Sequence, residues 1–218
     1  MRSWRAIIFS FVGLGLAAVL TAGAWVISLG PPPRGQNLET SHVVLDRDGR
    51  LLRAYATPEG RWRLATNAED VDPRFIRLLL AYEDRRFYDH HGVDLWALGR
   101  AAFQLATHGR IVSGGSTLSM QVARLLEPRE KRSFAAKLTQ IMRALELEAV
   151  LSKQQILSLY LTLAPYGGNL EGIGAASLSY FGKEPRRLSV GEAALLVALP
   201  QSPEFRRPDH SPDAAKAA

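Results

Sequence analysis

Residues 81–94 read AYEDRRFYDHHGVD and follow directly on the apolar run Phe75-Ile76-Arg77-Leu78-Leu79-Leu80. The reading of this stretch decides the rest. Phe75, Ile76, Leu79 and Leu80 recur at helical spacing, while Asp72-Pro73 supplies an N-cap and a proline at the first helical position. A helix with one apolar face therefore ends by delivering Glu83, Asp84, two arginines and two histidines into one short segment.

Downstream the chain reads as helical almost to its end. Asp94 caps a helix through Leu95, Leu98, Ala102 and Leu105 to Gly109, and Ser116 caps the next through Met120 and Leu125. Between Ser133 and Leu151, residues Phe134, Leu138, Ile141 and Leu145 mark a stripe expected to be buried, with Lys137 and Gln140 on another side. Ser152-Lys153-Gln154-Gln155 and Ser189-Val190-Gly191-Glu192 are capping boxes. Ala193 to Leu199 is apolar all round and predicts a core helix. Upstream, Val43-Val44-Leu45, the turn Asp46-Arg47-Asp48-Gly49 and Leu51 to Tyr55 predict one β-hairpin. From Pro203 to Ala218 the composition breaks and the segment reads as a cut end. The fold class is mainly α with a short β-hairpin.

The 218 residues, 47% apolar, suffice for one sizeable core, and the formal net charge of +6 suits an anionic partner such as lipid headgroups, phosphate esters or nucleic acid. The absence of cysteine excludes disulfides, thiolate nucleophiles and Cys-ligated metals. Ala6 to Leu29 carries no charge and exceeds the roughly 20 apolar residues that cross a bilayer. Arg2 and Arg5 precede it, which places the N-terminus in the cytoplasm and everything after Pro33 outside, as a single-pass protein of the inner membrane. Ala22-Gly23-Ala24 resembles a cleavage site, but the apolar run continues through Trp25-Val26-Ile27, favouring an uncleaved anchor. The expected boundaries are a cytoplasmic tail at 1–5, the anchor at 6–29, a proline-rich linker at 30–41, one domain at 42–212 and a tail at 213–218.

Glu83 is the first candidate for chemistry, since a carboxylate at the end of an apolar helix can be desolvated toward a range useful for proton transfer. Surface ion pairs among Glu83, Asp84, Arg85 and Arg86 are the plainer alternative. Asp89, His90, His91 and Asp94 do not compose a metal cage, because adjacent histidines diverge and no second cluster completes a shell. Arg110-Ile111-Val112-Ser113-Gly114-Gly115-Ser116-Thr117 opens a helix whose free N–H groups suit an anion, or is an ordinary loop with a capping serine. Gln121 and Arg124, near the first turns of that helix, favour the anion. Lys137 and Gln140, three residues apart, make either a phosphate-facing wall or a solvated face.

In order and spacing, Glu83-Asp84-x-x-Phe87-x-x-His90-x-Gly92-Val93-Asp94, Gly114-Gly115-Ser116-Thr117-Leu118-x-Met120-Gln121, Lys137 and Ser152-Lys153-x-x-Ile156-Leu157-x-x-Tyr160-Leu161 resemble glycosyltransferase family 51, the peptidoglycan polymerases of class A penicillin-binding proteins. The resemblance covers roughly Ser41 to Pro212. It implies a lysozyme-like peptidoglycan glycosyltransferase domain that polymerises lipid II outside the cytoplasmic membrane. Glu83 would be the catalytic acid/base, tuned by Asp84 and Arg85, with undecaprenyl pyrophosphate leaving. Substrate contacts fall to Asp84, Phe87, His90, Arg100, Gly115, Ser116, Thr117, Gln121, Arg124, Lys137 and Gln140, with Phe87, His90 and Gly92 also holding the turn. Trp96, Phe103 and Leu105 fall on the membrane-dipping lobe.

The implied partners are lipid II, the growing glycan strand, membrane lipids, a transpeptidase domain in a longer natural chain and other cell-wall synthesis proteins, but no nucleic acid. No cofactor is certain; a divalent cation, Mg or Mn, could assist the leaving pyrophosphate. Two departures stand out: Gln140 occupies a position that is glutamate in many members, and Thr162 one that is usually asparagine. They motivate the alternative of a non-catalytic, membrane-tethered lipid II or glycan binder. A lysozyme-like hydrolase is a third reading.

Overall fold

The structure, a computed structural model, describes residues 2–48, 51–109, 114–128 and 133–217, and of residues 2–12, 18, 22 and 102 the backbone alone. The chain divides into two compact units, Met1–Pro32 and Pro33–Ala218. The first is one helix, α1 (Arg2–Ser28), which covers nearly all of the stretch expected to span the bilayer. Among the described residues no helix is long and apolar enough to cross a membrane, so the anchor stays an expectation of the sequence.

The second unit opens with the expected hairpin. Strands β1 (Val43–Leu45) and β2 (Leu51–Ala54) pair antiparallel, Val43 opposite Ala54 and Leu45 opposite Leu51. Gly49, at the expected turn, lies outside the described residues. Then follow β3 (Trp62–Arg63), a 3-10 turn at Ala68–Asp70, α2 (Pro73–Glu83), α3 (Leu95–His108), α4 (Leu118–Leu126), α5 (Phe134–Val150) and α6 (Lys153–Leu163). The chain continues with β4 (Pro165–Gly167), β5 (Leu170–Glu171), α7 (Gly172–Phe181), α8 (Val190–Ala198), a 3-10 turn at Leu199–Gln201 and α9 (Pro212–Lys216). In the second sheet β5 lies between β3, its parallel neighbour, and β4, its antiparallel one. Arg63 locks the first pair: its guanidinium donates to the Glu171 carboxylate at 2.7 and 2.5 Å.

The helix starts follow their caps. Asp72 accepts from the Arg74 N–H, Asp94 from Ala97, and Ser152 and Ser189 form the two capping boxes. Gly109 closes α3 in the left-handed region. One cap differs from expectation. Thr117, not Ser116, caps α4, which releases the Ser116 hydroxyl for another partner.

α6 forms the centre of the core, burying Ile156, Leu157, Tyr160, Leu161 and Leu163. α4 packs on both α5 and α6, and α2 packs on α8. Phe75, Leu79, Leu118, Val122, Ile173 and Leu196 close the cluster. Each such side chain contributes roughly 1.5–3 kcal/mol on burial. The core helix expected at Ala193 to Leu199 is present, with Leu196, Val197, Ala198 and Leu199 buried.

The stripe expected to be buried on α5 is instead outward. Phe134 is 86% exposed and Leu138 and Leu145 are also exposed. The face set against the protein carries Thr139, Arg143, Ala144 and Leu147. Small Thr and Ala side chains let α4 come close, and Arg143, buried at 2% exposure, is neutralised by Glu127 at 2.9 Å and Glu146 at 2.8 Å.

Candidate active site

Glu83 is the last residue of α2, half-buried, and its carboxylate takes a donor on each oxygen. The Gln121 side-chain amide, from α4, donates to Oε2 at 2.8 Å. The Gln201 amide, from the turn after α8, donates to Oε1 at 3.1 Å, and the Tyr82 hydroxyl donates in turn to Gln201 Oε1 at 3.1 Å. Among the described residues no cation pairs with Glu83. A carboxylate offers about four lone-pair sites, so two amides leave acceptor capacity for an incoming hydroxyl.

The adjacent Asp84 faces the other way. It is 7% exposed, accepts from the Leu118 N–H at 2.8 Å, and has His90 Nε2 at 3.0 Å from both oxygens. Its carboxylate thus pins residues 84–90 to the start of α4. Phe87, 1% exposed, lies under the Lys153 ammonium at 4.4 Å from its ring centroid, and Lys153 donates to the His90 carbonyl at 2.7 Å and to Glu148 at 2.6 Å. Phe87 and His90 are both buried and hold the turn. Arg86 pairs with Asp94, outside the 83–86 cluster, and among the described residues no ion pair joins the carboxylates and arginines within that cluster.

The loop before α4 is described from Gly114 onward; Arg110 to Ser113 lie outside the described residues. Thr117 is buried and its hydroxyl donates to the Gly92 carbonyl at 2.6 Å, tying the two motifs together. Gly115 packs against α3, where an added Cβ would meet Leu98 at 3.0 Å. Ser116 points to the cleft and accepts from the Lys137 ammonium at 2.6 Å. Lys137 also donates to Gln140 Oε1 at 3.2 Å, while Gln140 Nε2 donates to the Met120 carbonyl at 2.6 Å. Burial and, secondarily, the neighbouring Arg124 push the Lys137 amine below the usual lysine range.

Two clefts meet at Glu83. One, of ≈ 390 Å³, is polar and lined by Glu83, Ser116, Gln121, Arg124, Lys137 and Gln140. The other, of ≈ 920 Å³, runs from Glu83 past Arg85 and Arg100 to Trp96 and Phe103. Glu83 and Ser116 belong to both. A proton acceptor beside a cation-lined pocket is the equipment of a group-transfer enzyme with an anionic leaving group.

The residues do not suit a resident divalent cation. Among those described, no group of three or more His, Asp or Glu is arranged to hold one. The cleft beside Glu83 is lined by Lys137 and Arg124, and no step below passes through a metal.

Of the expected site residues, Glu83, Ser116, Gln121, Arg124, Lys137 and Gln140 come together in one cleft, and Arg100 borders the other. Thr162 is elsewhere: its hydroxyl accepts from the Thr66 N–H at 3.1 Å. Gln201 and Tyr82 went unassigned in the sequence, since a contact across 118 positions leaves no local signal.

The family described as Transglycosylase matches residues 48–218, and the chain belongs to it. Penicillin-binding protein 1C of Escherichia coli (strain K12) is 49% identical over 201 residues, 92% of this chain and 26% of that protein. Penicillin-binding protein 1A of Vibrio cholerae is 32% identical over 97% of this chain and 26% of that protein, and penicillin-binding protein 1F of Bacillus subtilis 32% over 93% and 28%. The chain thus spans about a quarter of the length of these relatives. A solved structure of penicillin-binding protein 1A from Haemophilus influenzae aligns over 83% of this chain and 17% of that one, at 19% identity and a TM-score of 0.41, a likeness too slight to carry a fold argument. The wording of Ala164 to Gly172 and of Leu199 to Pro203 is of the 1C type, in keeping with the 49% relative.

Proposed function

We propose that the unit following Pro33 is a peptidoglycan glycosyltransferase that polymerises lipid II at the outer face of the cytoplasmic membrane, with α1 as its anchor. The observation that carries this reading is the position of Glu83 where the two clefts meet. The acceptor sugar's 4-hydroxyl, held in the larger cleft, gives its proton to the Glu83 carboxylate as its oxygen bonds to the donor's anomeric carbon. The bond from that carbon to the pyrophosphate breaks with its electron pair, and the configuration inverts. Lys137, Arg124 and the Ser116 hydroxyl meet the charge developing on undecaprenyl pyrophosphate.

Gln121 and Gln201 hold the base without neutralising it, since both are uncharged donors. Gln140 is accommodated here by its two hydrogen bonds, and Thr162 by its pairing with Thr66, so neither departure argues for a mere binder. In detergent, the purified chain is expected to extend labelled lipid II into polymer. Glu83→Gln is expected to lower the rate about 100-fold or more at an unchanged melting temperature. Equal polymer from that variant would remove Glu83 from the mechanism; saturable lipid II binding with no polymer from the wild type would establish the binder instead.

A further inference from the structure

Gln201 is exposed, yet both ends of its side-chain amide are engaged: Nε2 donates to Glu83 Oε1 at 3.1 Å, and Oε1 accepts from the Tyr82 hydroxyl at 3.1 Å. A long side chain in water keeps such contacts only where its backbone is held, because a glutamine that lets go regains its rotamers. What holds this backbone is the segment that follows it. The 3-10 turn Leu199–Gln201 is rooted by Leu199, which is fully buried, and closed by the Ser202 N–H, which donates to the Leu199 carbonyl at 3.0 Å. Arg206 then brackets the turn. Its guanidinium donates to the Ala198 carbonyl at 2.7 Å, before the turn, and its backbone N–H donates to the Ser202 carbonyl at 3.0 Å, after it.

The same segment is hooked onto the turn between β4 and β5. Glu204 Oε1 accepts from the Gly168 N–H at 2.7 Å. The Arg207 side chain lies across Gly167 and Gly168, whose φ values are +101° and +57°. A Cβ on Gly167 would meet Arg207 Cγ at 2.5 Å and the Pro203 carbonyl oxygen at 3.0 Å, so the glycine leaves the space that the segment fills. The Asp209 carboxylate accepts from the Arg207 guanidinium at 3.1 and 2.6 Å and fixes it there. Residues 203–207 are thereby fastened to the end of α8 on one side and to the sheet turn on the other.

We propose that residues 203–207 are a positioning strap of the active site, in which Arg206 fixes the 198–202 backbone so that Gln201 can hold the Glu83 carboxylate. The proposal rests on the reading of Glu83 as the base. Arg206 lines neither cleft at Glu83 and acts through Gln201, as a positioning residue. With Gln201 released, Glu83 keeps Gln121 alone, and a carboxylate held at one oxygen swings out of line with the acceptor hydroxyl. The chemical step suffers while substrate binding is spared, because Ser116, Arg124 and Lys137 stay in place.

The test compares Arg206→Ala, Arg206→Lys, Gln201→Ala and the Arg206→Ala/Gln201→Ala double variant of the whole chain, for kcat and KM on lipid II in detergent. Arg206→Ala and Gln201→Ala are each expected to lower kcat about fivefold with KM within about twofold, and Arg206→Lys to recover most of the rate. The double variant should be no slower than Gln201→Ala alone. Losses that multiply in the double variant would show Arg206 acting on the fold and not through Gln201, and a wild-type kcat in either single variant would equally overturn the strap. Glu204→Ala, at an exposed position, frees the other fastening and repeats the cycle at less risk to the fold; it too should cost nothing further once Gln201 is alanine. A second measurement needs no turnover. The side-chain amide NMR signals of Gln201, assigned by their loss in Gln201→Ala, should move toward those of a free glutamine in Arg206→Ala and stay near the wild type in Arg206→Lys; unmoved signals in both would overturn the strap. If Glu83→Gln still polymerises, the reading of the base fails, while these signals still report whether Arg206 holds Gln201.

Discussion

Lys137 holds its ammonium between the Ser116 hydroxyl and the Gln140 amide oxygen, neither of which supplies a negative charge. Burial and Arg124 disfavour the charged amine, so it gives up its proton at a lower pH than an ordinary lysine. Between its folded value and the ordinary value the folded state binds fewer protons than the unfolded one, and this residue's contribution to stability rises with pH through that window. In the proposed mechanism activity runs the opposite way, since there the leaving group needs the cation. The alkaline limb of polymerisation should therefore fall below the usual lysine range, and Lys137→Arg, which cannot lose its charge, should carry that limb to higher pH. A pH–rate profile of both proteins checks this, and coincident limbs would detach Lys137 from the leaving group. Gln140 is equally specific. A glutamate there would keep the acceptor for Lys137 and lose the donor to the Met120 carbonyl. The sequence exposed Lys137, Ser116 and Gln121 because their motifs are short and local; it left the burial of Asp84 unseen because two adjacent carboxylates look alike until one is buried.

The turn from Asp84 to Asp94 joins α2 to α3, and its tightest point is Gly92, with φ +85°. A Cβ built there would lie 2.7 Å from the Ala144 carbonyl oxygen on α5, against backbone that has no room to yield. Gly92→Ala should cost about 2–5 kcal/mol, from left-handed strain plus overpacking, and should lower the midpoint of urea unfolding accordingly. An unchanged midpoint would show that the turn and α5 separate easily. Helices were legible at this scale because their starts carry side-chain caps, as at Asp72, Asp94, Ser152 and Ser189. The second sheet was not, since strands of two or three residues are too short to display alternation. The α5 stripe was legible as apolar but not as outward, because periodicity reports that a face is greasy and says nothing about what covers it.

At the scale of the whole folded unit, that face belongs to a larger surface. Leu95, Trp96 and Phe103 on α3 are exposed, Trp96 at 78%, and α3 and α5 share a largely apolar groove of ≈ 510 Å³ lined by Leu95, Trp96, Leu98, Ile141 and Leu145. Removing such side chains from water is worth roughly 1.5–3 kcal/mol each, so under the proposed function this surface would seat among lipid chains beside the substrate. Trp96→Ser with Phe103→Ser should slow polymerisation of bilayer-embedded lipid II about tenfold or more, yet spare a short-chain, water-soluble analogue. Equal loss on both substrates would assign these residues to the fold instead of the interface. The hydrogen bond from Gln201 to Glu83 has a consequence in time. The base is among the earlier parts of the unit to be synthesised, and one of its two amides comes 118 residues later, beyond the last core helix. A chain still emerging can hold every motif of the first two-thirds and yet have only half of its carboxylate clamp. Completion of the Gln201–Glu83 contact is thus a late event of the molecule's own making, and it accompanies the packing of α8 against α2.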